Sequence, residues 1–429
     1  MSIIHSRPTV DLSRYARSVQ KPEAYYGLPQ SVQFCRRCVI SNQRPSSVVE
    51  YKKTIEEKQM TIGFDDEGIC NACRYHEVKE ERIEWKKRET SLVELLDKHR
   101  RSDGGYDVIV PGSGGKDSSY TSHILKYKYG MNPLTVTWSP HKYTEIGWKN
   151  FENWSHVGGM DNLLFTPNGR LHRYLTSQAF LNLLHPFQPF IVGQRIIGPL
   201  MATKFGVKLV MYGENQAEYG NDPNENYKPT MDQRFFSVQD PLEMKLGGRS
   251  IQDLMARSKF TLNDFVPYIP PSADFLESKG VEVHYLGYYL KWDPQECYYY
   301  AAENTGFQAN SERTEGTYSK YSSIDDKIDM FHYYTTLAKF GIGRATYDAA
   351  QEIRNRKITR EEGVALVRRY DEEFPRKYFA DFLEYIGLTE EAFHATVDKY
   401  RSPHLWVHEN GKWVLRHAVW RDSGEARAQ

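Results

Sequence analysis

A short strand, a glycine-rich loop and a helix in succession constrain this chain more than any other stretch. Residues Tyr106–Val110 form a β-branched run typical of a buried strand, and Ser118–Tyr129 has a helical pattern that stops at Gly130. The loop between them, Pro111–Ser118, reads PGSGGKDS. Glycines let backbone N–H groups approach phosphate oxygens, and a helix N-terminus adds unpaired donors. The pattern predicts an α/β fold with a phosphate-binding loop at a strand end.

The loop is not a Walker A motif, because Val110 occupies the first glycine position and Asp117 follows the lysine. It resembles the Ser-Gly-Gly-x-Asp-Ser signature of PP-loop ATP pyrophosphatases, which cleave ATP to AMP and pyrophosphate. The residues that match are Ser113, Gly114, Gly115, Lys116, Asp117 and Ser118. The resemblance implies that they bind ATP and that Lys116 and Asp117 act in catalysis. The alternative is an ordinary glycine-rich turn.

The charge balance argues against a large nucleic-acid-binding surface and leaves a local basic patch open. The 429 residues leave room for two or three domains, and 56 basic residues balance 56 acidic ones. A neutral chain offers no broad basic surface for a phosphate backbone. The first residues lack the apolar core of a signal peptide, and no run of apolar residues is long enough to span a membrane. We therefore expect a cytoplasmic protein.

Four of the five cysteines form two C-x-x-C pairs, which predicts a metal site. Cys35 and Cys38 make one pair, and Cys70 and Cys73 make the other. Two such knuckles can complete a tetrahedral Zn²⁺ site with no open position, so the metal would be structural. A redox dithiol and an iron–sulfur cluster are the alternatives.

Strands and helices alternate after the loop, which predicts parallel pairing. The predicted elements are strands Pro133–Trp138, Asn162–Phe165 and Lys208–Tyr212 and helices Ile146–Val157 and Gln194–Phe205. The last of these strands ends in Gly213-Glu214, at the sheet edge where ligands of open α/β folds bind. Asp117 and Glu214 are candidate Mg²⁺ ligands on the ATP phosphates, since hard cations prefer oxygen. The alternative for Glu214 is an ordinary surface carboxylate.

Further segments have weaker signals. We expect a charged connecting helix over Arg74–Arg101. We also expect an ordered loop or lid over Glu218–Lys259 and a further strand over Val281–Leu290. Ile358–Phe374 predicts an amphipathic helix with Thr359 and Glu362 as a capping box. The tail from residue 423 is expected to fray.

A second group of charged residues lies between Ser322 and Arg344. Asp325, Asp326, Asp329 and His332 cluster near a predicted helix start. We expect Lys327 or Arg344 to meet pyrophosphate or an anionic group of the substrate, because both side chains bind phosphate and carboxylate. The alternative is a set of solvated charges at a helix end.

The cysteine knuckles, the PGSGGKDS loop, the Met211–Asn215 strand end and Lys339–Thr346 together resemble the N-acetyl sugar amidotransferases. These are PP-loop enzymes of surface-polysaccharide and nonulosonic-acid (pseudaminic-acid) pathways. The resemblance implies a parallel-sheet core like that of adenine nucleotide α-hydrolases, an N-terminal zinc-knuckle module and a mostly helical C-terminal part. The expected domains are residues 1–100, 101–345 and 346–429.

The resemblance also implies a reaction. The enzyme would use ATP, Mg²⁺ and Zn²⁺ to convert an acetamido group of a nucleotide-linked or free sugar into an acetamidino group, with ammonia as nucleophile. No glutaminase motif is present in the sequence, so ammonia would come from a separate glutaminase, with a channel-forming barrel subunit as a further candidate partner. We expect no membrane or nucleic-acid partner.

Two other functions remain open from the sequence. One is a PP-loop tRNA-modifying enzyme, either a thiolase or a lysidine-type ligase; a thiolase would need a sulfur-carrying cysteine, and only Cys297 is spare. The other is a zinc-ribbon scaffold with a decayed nucleotide site, against which the intact loop argues.

Overall fold

The computed structural model describes residues 10–54, 56, 58–221 and 227–422. Its centre is a five-stranded sheet with the strand order β3-β2-β1-β4-β7. The strands are β1 (Val108–Pro111), β2 (Pro133–Trp138), β3 (Asp161–Phe165), β4 (Leu209–Tyr212) and β7 (Glu282–Tyr285). Every neighbouring pair is parallel. The carboxyl ends of β1 and β4 therefore lie side by side, at the same edge of the sheet.

Two small antiparallel hairpins lie outside this sheet. One consists of β5 (Lys245–Leu246) and β6 (Arg249–Ser250), and the other of β8 (Trp406–Glu409) and β9 (Lys412–Leu415).

Helices pack against the sheet and make up most of the C-terminal part. Those before β5 are α1 (Asn71–Glu81), α2 (Trp85–His99), α3 (Lys116–His123), α4 (Glu145–His156), α5 (Gly169–Leu183) and α6 (Gln188–Phe205). Those after β6 and before residue 305 are α7 (Ile251–Ala256), α8 (Leu262–Phe265), α9 (Ala273–Ser278), α10 (Leu286–Tyr289) and α11 (Pro294–Asn304). The remainder are α12 (Asp329–Phe340), α13 (Arg344–Arg354), α14 (Arg360–Tyr370), α15 (Phe379–Ile386), α16 (Glu390–Lys399) and α17 (Val419–Asp422).

The predicted fold class is confirmed: a parallel α/β core, a cluster of four cysteines near the N-terminus and a mostly helical C-terminal part. The central strand has the buried, β-branched composition that the sequence indicated, since Val108, Ile109 and Val110 are all fully buried. The strand over residues 133–138 has the predicted bounds. The predicted capping box of Thr359 and Glu362 is present at α14.

Four predicted elements differ from the structure. The helix over 118–129 is an α-helix over Lys116–His123 that continues as a π-helix over Ile124–Lys128. The helix over 74–101 is two helices, α1 and α2, with a break at residues 82–84. The helix over 194–205 begins earlier, at Gln188, with Pro189 in its first turn. The strand over 281–290 ends at Tyr285, where the backbone N–H of Gly287 donates to the carbonyl of Gly213 and the chain turns into α10.

The cysteine module packs on the C-terminal helices. The four cysteines share one hydrophobic cluster with Ile342, Ala349 and Val367. The side chain of Arg360 also donates to the carbonyl oxygens of Cys35 and Cys38, at 3.4 and 3.3 Å. Chain segments far apart in sequence are thus held together at this point.

The segment predicted as an ordered loop or lid contains short helical turns and the β5–β6 hairpin in its described part; residues 222–226 lie outside the described residues. The predicted fraying from residue 423 lies outside them too. Within the described ranges, every helix is too short or too polar to cross a lipid bilayer.

Candidate functional site

A cavity of about 590 Å³ opens at the carboxyl edge of the sheet, where β1 and β4 end. Residues from three parts of the chain line it. The N-terminal module contributes Arg44, Ser47 and Glu50; the sheet edge contributes Lys116, Asp117 and Glu214; and the C-terminal part contributes Asp325, Asp329, His332, Tyr333, Arg344 and Asp348. The cavity is large enough for a nucleotide-sized ligand.

The loop after β1 is shaped by its glycines. Gly114 has φ +78°, and a Cβ added to it would lie 2.8 Å from the Cα of Phe151. A Cβ on Gly112 would lie 2.1 Å from that of Ser118. Neither position tolerates a side chain, so the loop packs closely between α3 and α4. A Cβ on Gly115 would meet only the Oγ of Ser113, at 3.6 Å, which leaves room above the start of α3.

Lys116 and Asp117 begin α3 and face the cavity. The Nζ of Lys116 donates to Asp117 Oδ2 at 2.6 Å. Burial lowers the pKa of Lys116, but the adjacent Asp117 carboxylate outweighs this and holds that pKa above its ordinary value. No donor in the described part of the chain reaches Asp117 Oδ1, although this atom is buried. A buried carboxylate oxygen without a partner is a potential metal ligand.

Glu214 lies across the cavity at the end of β4 and is held from two sides. Tyr219 donates its hydroxyl to Oε2, and Gln351 on α13 donates Nε2 to Oε1 at 2.9 Å. Burial, followed by repulsion from the Asp117 carboxylate, raises the pKa of Glu214 to about 7. Two carboxylates that repel each other across a cavity could together hold Mg²⁺, because a hard cation would relieve that repulsion. The donor set fits this metal.

The remaining predicted loop residues lie close to the cavity without lining it. Ser113 lies beside Asp325, a cavity residue of the C-terminal part, and its hydroxyl acts to lower the pKa of that carboxyl, although burial raises this pKa overall. The Ser118 hydroxyl donates to the Gly115 carbonyl at 3.1 Å and so fixes the end of the loop to the first turn of α3. A Cβ on Gly213 would lie 2.7 Å from the Trp292 ring, so only glycine at this position lets the ring pack against the backbone next to Glu214.

The structure separates the two basic residues predicted in the C-terminal part. Arg344 starts α13, lines the cavity, pairs with Asp348 at 3.1 Å and lies over the Tyr333 ring. Lys327 is absent from the described residues that line the cavity. Its Nζ lies 3.3 Å from Asp381 and faces the Tyr378 ring, because the turn before α12 directs it toward α15. Arg344 is brought to the site and Lys327 is not.

The acidic residues around 325–329 have different roles. Asp326 accepts hydrogen bonds from the backbone and ring of His141 and from the backbone of Ile328, so it mainly fixes the chain. Asp325 and Asp329 face the cavity, and burial raises the pKa of both, that of Asp329 to about 7. Asp326 also lies in the cavity wall. The sequence grouped the three aspartates but did not distinguish the one whose oxygens are bound by the chain from the other two.

Arg44 and Glu50 were not predicted as site residues. They belong to the polar segment between the two cysteine knuckles, and no motif marks them. Their presence in the cavity wall depends on how the cysteine module packs on α13 and α14, which the local sequence does not encode.

The cysteine cluster has the geometry of a single tetrahedral ion. The four Sγ atoms lie within 4.8 Å of one another, and the Cys35–Cys73 and Cys38–Cys70 pairs are each 3.8 Å apart. Four thiolates at the usual Zn–S distance of about 2.3 Å would be about 3.8 Å apart. Backbone N–H groups of Arg37 and Cys70 point at Cys35 Sγ. The cluster therefore fits one metal ion such as zinc better than a larger iron–sulfur cluster.

The C-terminal wall of the cavity corresponds to a known domain. Residues 315–419 match the family model described as "LPS biosynthesis protein WbpG-like, C-terminal domain". Residues 315–419 are therefore similar to the C-terminal domain of WbpG-like proteins. This region contributes Asp325, Asp329, Arg344 and Asp348 to the cavity. The match agrees with the resemblance to surface-polysaccharide enzymes that the sequence motifs indicated.

Two solved structures share local similarity with the chain. One is the NH3-dependent NAD synthetase of Campylobacter jejuni subsp. jejuni NCTC 11168, with a TM-score of 0.24 and 12% identity over 30% of this chain and 56% of that one. The other is the NMN synthetase of Francisella tularensis, with a TM-score of 0.24 and 14% identity over 46% of this chain and 92% of that one. The chain thus spans just over half of the NAD synthetase. A search of curated proteins found no significant match.

Proposed function

We propose that this protein is an ATP-dependent, AMP-forming amidotransferase of lipopolysaccharide biosynthesis that converts an acetamido group of a sugar into an acetamidino group. The observation that carries the proposal is the meeting of the Ser113–Ser118 loop, the Asp117–Glu214 carboxylates and the WbpG-like domain around one cavity. The loop supplies a place for the phosphates, and the WbpG-like domain supplies the wall against which a sugar would lie.

The chemistry explains why ATP is needed. An amide oxygen is a poor leaving group, so ammonia alone would displace it extremely slowly. In the proposed reaction the acetamido oxygen attacks the α-phosphorus, the bond to the β-phosphate oxygen breaks, and pyrophosphate leaves. Ammonia then adds to the activated carbon, the C–O bond breaks, and AMP leaves with the former amide oxygen. The amidine retains a proton and is positively charged at neutral pH.

Residues of the site would position and neutralise these groups. The backbone of residues 113–116 and the Lys116 ammonium would face the departing pyrophosphate, and Arg344 would hold an anionic group of nucleotide or sugar. Mg²⁺, when bound by Asp117 and Glu214, would offset the charge of the phosphates. Asp325 and Asp329 would face the part of the cavity where the cationic amidine forms, and that cation would in turn favour the charged form of both carboxyl groups.

Zinc at the four cysteines would be structural in this proposal, because four thiolates leave no open position. Ammonia would come from solution or from a separate glutaminase. Cys297 does not favour the tRNA thiolase alternative: it is 2% exposed, and burial raises the pKa of its thiol, whereas a sulfur carrier needs an accessible thiolate.

The test is a set of incubations with ATP, Mg²⁺, ammonium and a panel of N-acetylated and diacetamido sugars, free and nucleotide-linked. AMP, pyrophosphate and product mass are followed together. We expect equal amounts of AMP and pyrophosphate and a sugar product whose mass corresponds to exchange of oxygen for NH. Formation of ADP, or AMP formation that needs tRNA and not sugar, would contradict the proposal.

A further inference from the structure

A second, smaller cavity of about 180 Å³ adjoins the main one. The two cavities share a wall, to which Ser47, Val48, Glu50, Ile191, His332, Thr336 and Tyr347 all contribute. The small cavity extends from this wall toward Thr54 and Gln59. Thr54 and Gln59 are partly exposed, and Lys58 and Met60 beside Gln59 are exposed. The small cavity thus lies between the protein surface and the main cavity.

The polar groups at the shared wall would give a cation little electrostatic stabilisation. Glu50 is paired with the Nζ of Lys53 at 3.2 Å and lies 3.3 Å from the Nε2 of His185. Burial would raise the pKa of Glu50, but Lys53 and His185 hold it below its ordinary value, so the carboxylate is charged and already neutralised. The Nζ of Lys339 also lines the small cavity, where it donates to the Leu183 carbonyl at 2.8 Å.

Two stacked histidines complete the wall. The rings of His185 and His332 lie 4.9 Å apart, and the Nδ1 of His332 is buried with no hydrogen-bond partner in the described part of the chain. Burial lowers the pKa of both imidazoles, that of His185 to about 4, so both are neutral near pH 7. Neutral rings and a neutralised carboxylate offer hydrogen bonds without a net negative charge.

We propose that the small cavity is the passage by which neutral ammonia reaches the activated carbon in the main cavity. The inference rests on the proposed amidation. A volume of about 180 Å³ suits a small polar molecule and not the nucleotide or substituted sugar that the larger cavity would hold. Ammonia can both donate and accept hydrogen bonds at the shared wall. Ammonium would be desolvated beside the cations Lys53 and Lys339, and the nearby Glu50 carboxylate already pairs with Lys53, so the wall favours the neutral, nucleophilic form.

The test narrows the passage without touching the main cavity. Ser46 and Thr54 line only the small cavity among the described residues, so Ser46→Phe and Thr54→Phe would each fill part of it. The matched control is Ser91→Phe, at an exposed position on α2, a helix that contributes no residue to either cavity. Each variant is assayed in two ways: sugar-dependent exchange of labelled pyrophosphate into ATP without ammonia, and product formation over a range of ammonium concentrations and pH.

In the wild-type protein we expect a KM that is constant with pH when expressed as neutral ammonia. At least one of Ser46→Phe and Thr54→Phe should raise this KM by about tenfold and leave the exchange rate within about twofold of that of Ser91→Phe. If both variants keep normal exchange and a wild-type KM for ammonia, the passage is excluded. If the wild-type protein shows no sugar-dependent exchange, the proposed amidation itself fails, and the passage with it.

Discussion

At the scale of single residues, the site depends on two carboxylates, Asp117 and Glu214. Their charges repel each other unless a cation lies between them. Asp117 has one oxygen paired with Lys116 and another buried without a donor, and Glu214 has its pKa raised to about 7 by burial and by Asp117. The sequence signature identified Asp117 and Lys116 directly. It identified Glu214 only through its place after a strand, and Tyr219 and Gln351, which orient Glu214, carry no motif at all.

Removing the charge of Asp117 should stop the reaction before the sugar is activated. We expect Asp117→Asn to lower AMP formation at least 100-fold, since a neutral amide binds Mg²⁺ poorly and the pyrophosphate charge is left uncompensated. Metal bound at the cysteines should be unchanged when measured by elemental analysis. Asp274→Asn, at an exposed position on α9, is the matched control. Wild-type turnover in Asp117→Asn would show that the metal site lies elsewhere.

Arg344 and Lys327 were equivalent candidates in the sequence, and the structure separates them. Arg344→Lys keeps the charge but loses the guanidinium that pairs with Asp348 and lies over Tyr333. We expect it to raise the KM for ATP or sugar by about tenfold. Lys327→Gln breaks the pair with Asp381 and the contact with the Tyr378 ring, neither of which lines the cavity, and should leave both KM values within about twofold. The opposite ranking in steady-state kinetics would contradict the placement of Arg344.

Asp329 should make stability depend on pH. Burial raises its pKa from 3.8 to about 7, so the folded state holds a proton that the unfolded state has released. This carboxyl therefore loses its contribution to stability as pH rises from about 3.8 to about 7. In ligand-free protein we expect the thermal midpoint of wild type minus that of Asp329→Asn to fall across this range. A difference that is constant with pH would show that Asp329 titrates normally.

At the scale of elements, the strands and helices with strong local signals were the predictable ones. The strand over 133–138 is a continuous apolar and β-branched run, and α14 has a complete capping box, so local sequence is sufficient for both. The prediction of a strand over 281–290 was wrong in its second half. The strand ends early because the backbone N–H of Gly287 donates to the carbonyl of Gly213, a contact between residues far apart in the sequence. The break between α1 and α2 also has no Gly or Pro to mark it.

A buried ion pair connects helix α1 to the segment that follows Glu214. Lys79 on α1 is 1% exposed, and its Nζ donates to Glu218 at 2.7 Å and to the Trp292 carbonyl. Glu218 lies in the helical turn that follows Glu214, and its carbonyl accepts a hydrogen bond from Arg354 at 3.1 Å. The pair therefore joins the cysteine module to the segment that carries a candidate metal ligand.

Breaking this pair should be costly. Lys79→Met leaves the Glu218 charge buried and uncompensated, so we expect a loss of about 3–5 kcal/mol in the free energy of unfolding. The double variant Lys79→Met with Glu218→Gln removes that charge and should recover part of the loss. Denaturant unfolding measures both. A loss below about 1 kcal/mol in the single variant would show that the pair is hydrated in solution.

At the scale of the whole molecule, one cavity is assembled from segments that are far apart in the chain. The sequence predicted the loop, the cysteine ligands and the α/β core from local patterns. It could not predict that Arg44 and Glu50 would line the same cavity as Arg344, because that depends on the packing of the cysteine module against Ala349 and Val367.

Loss of the metal at the cysteines should therefore affect the site as well as the module. Since four buried thiolates would repel one another without a cation, we expect Cys73→Ser or strong chelation to lower the thermal midpoint and to weaken ATP binding together. Metal content, thermal unfolding and ATP titration follow the three effects. Loss of metal with unchanged ATP binding would show that the module is independent of the cavity wall.

The most direct test of the proposed reaction follows the acetamido oxygen. A sugar substrate labelled with ¹⁸O in that group is incubated with the protein, ATP, Mg²⁺ and ammonium, and the products are analysed by mass spectrometry. If ATP adenylates this oxygen, we expect one ¹⁸O atom in AMP, none in pyrophosphate, and an unlabelled amidino sugar. Label that remains in the sugar product, or that appears in pyrophosphate or inorganic phosphate, would contradict adenylation of the acetamido oxygen.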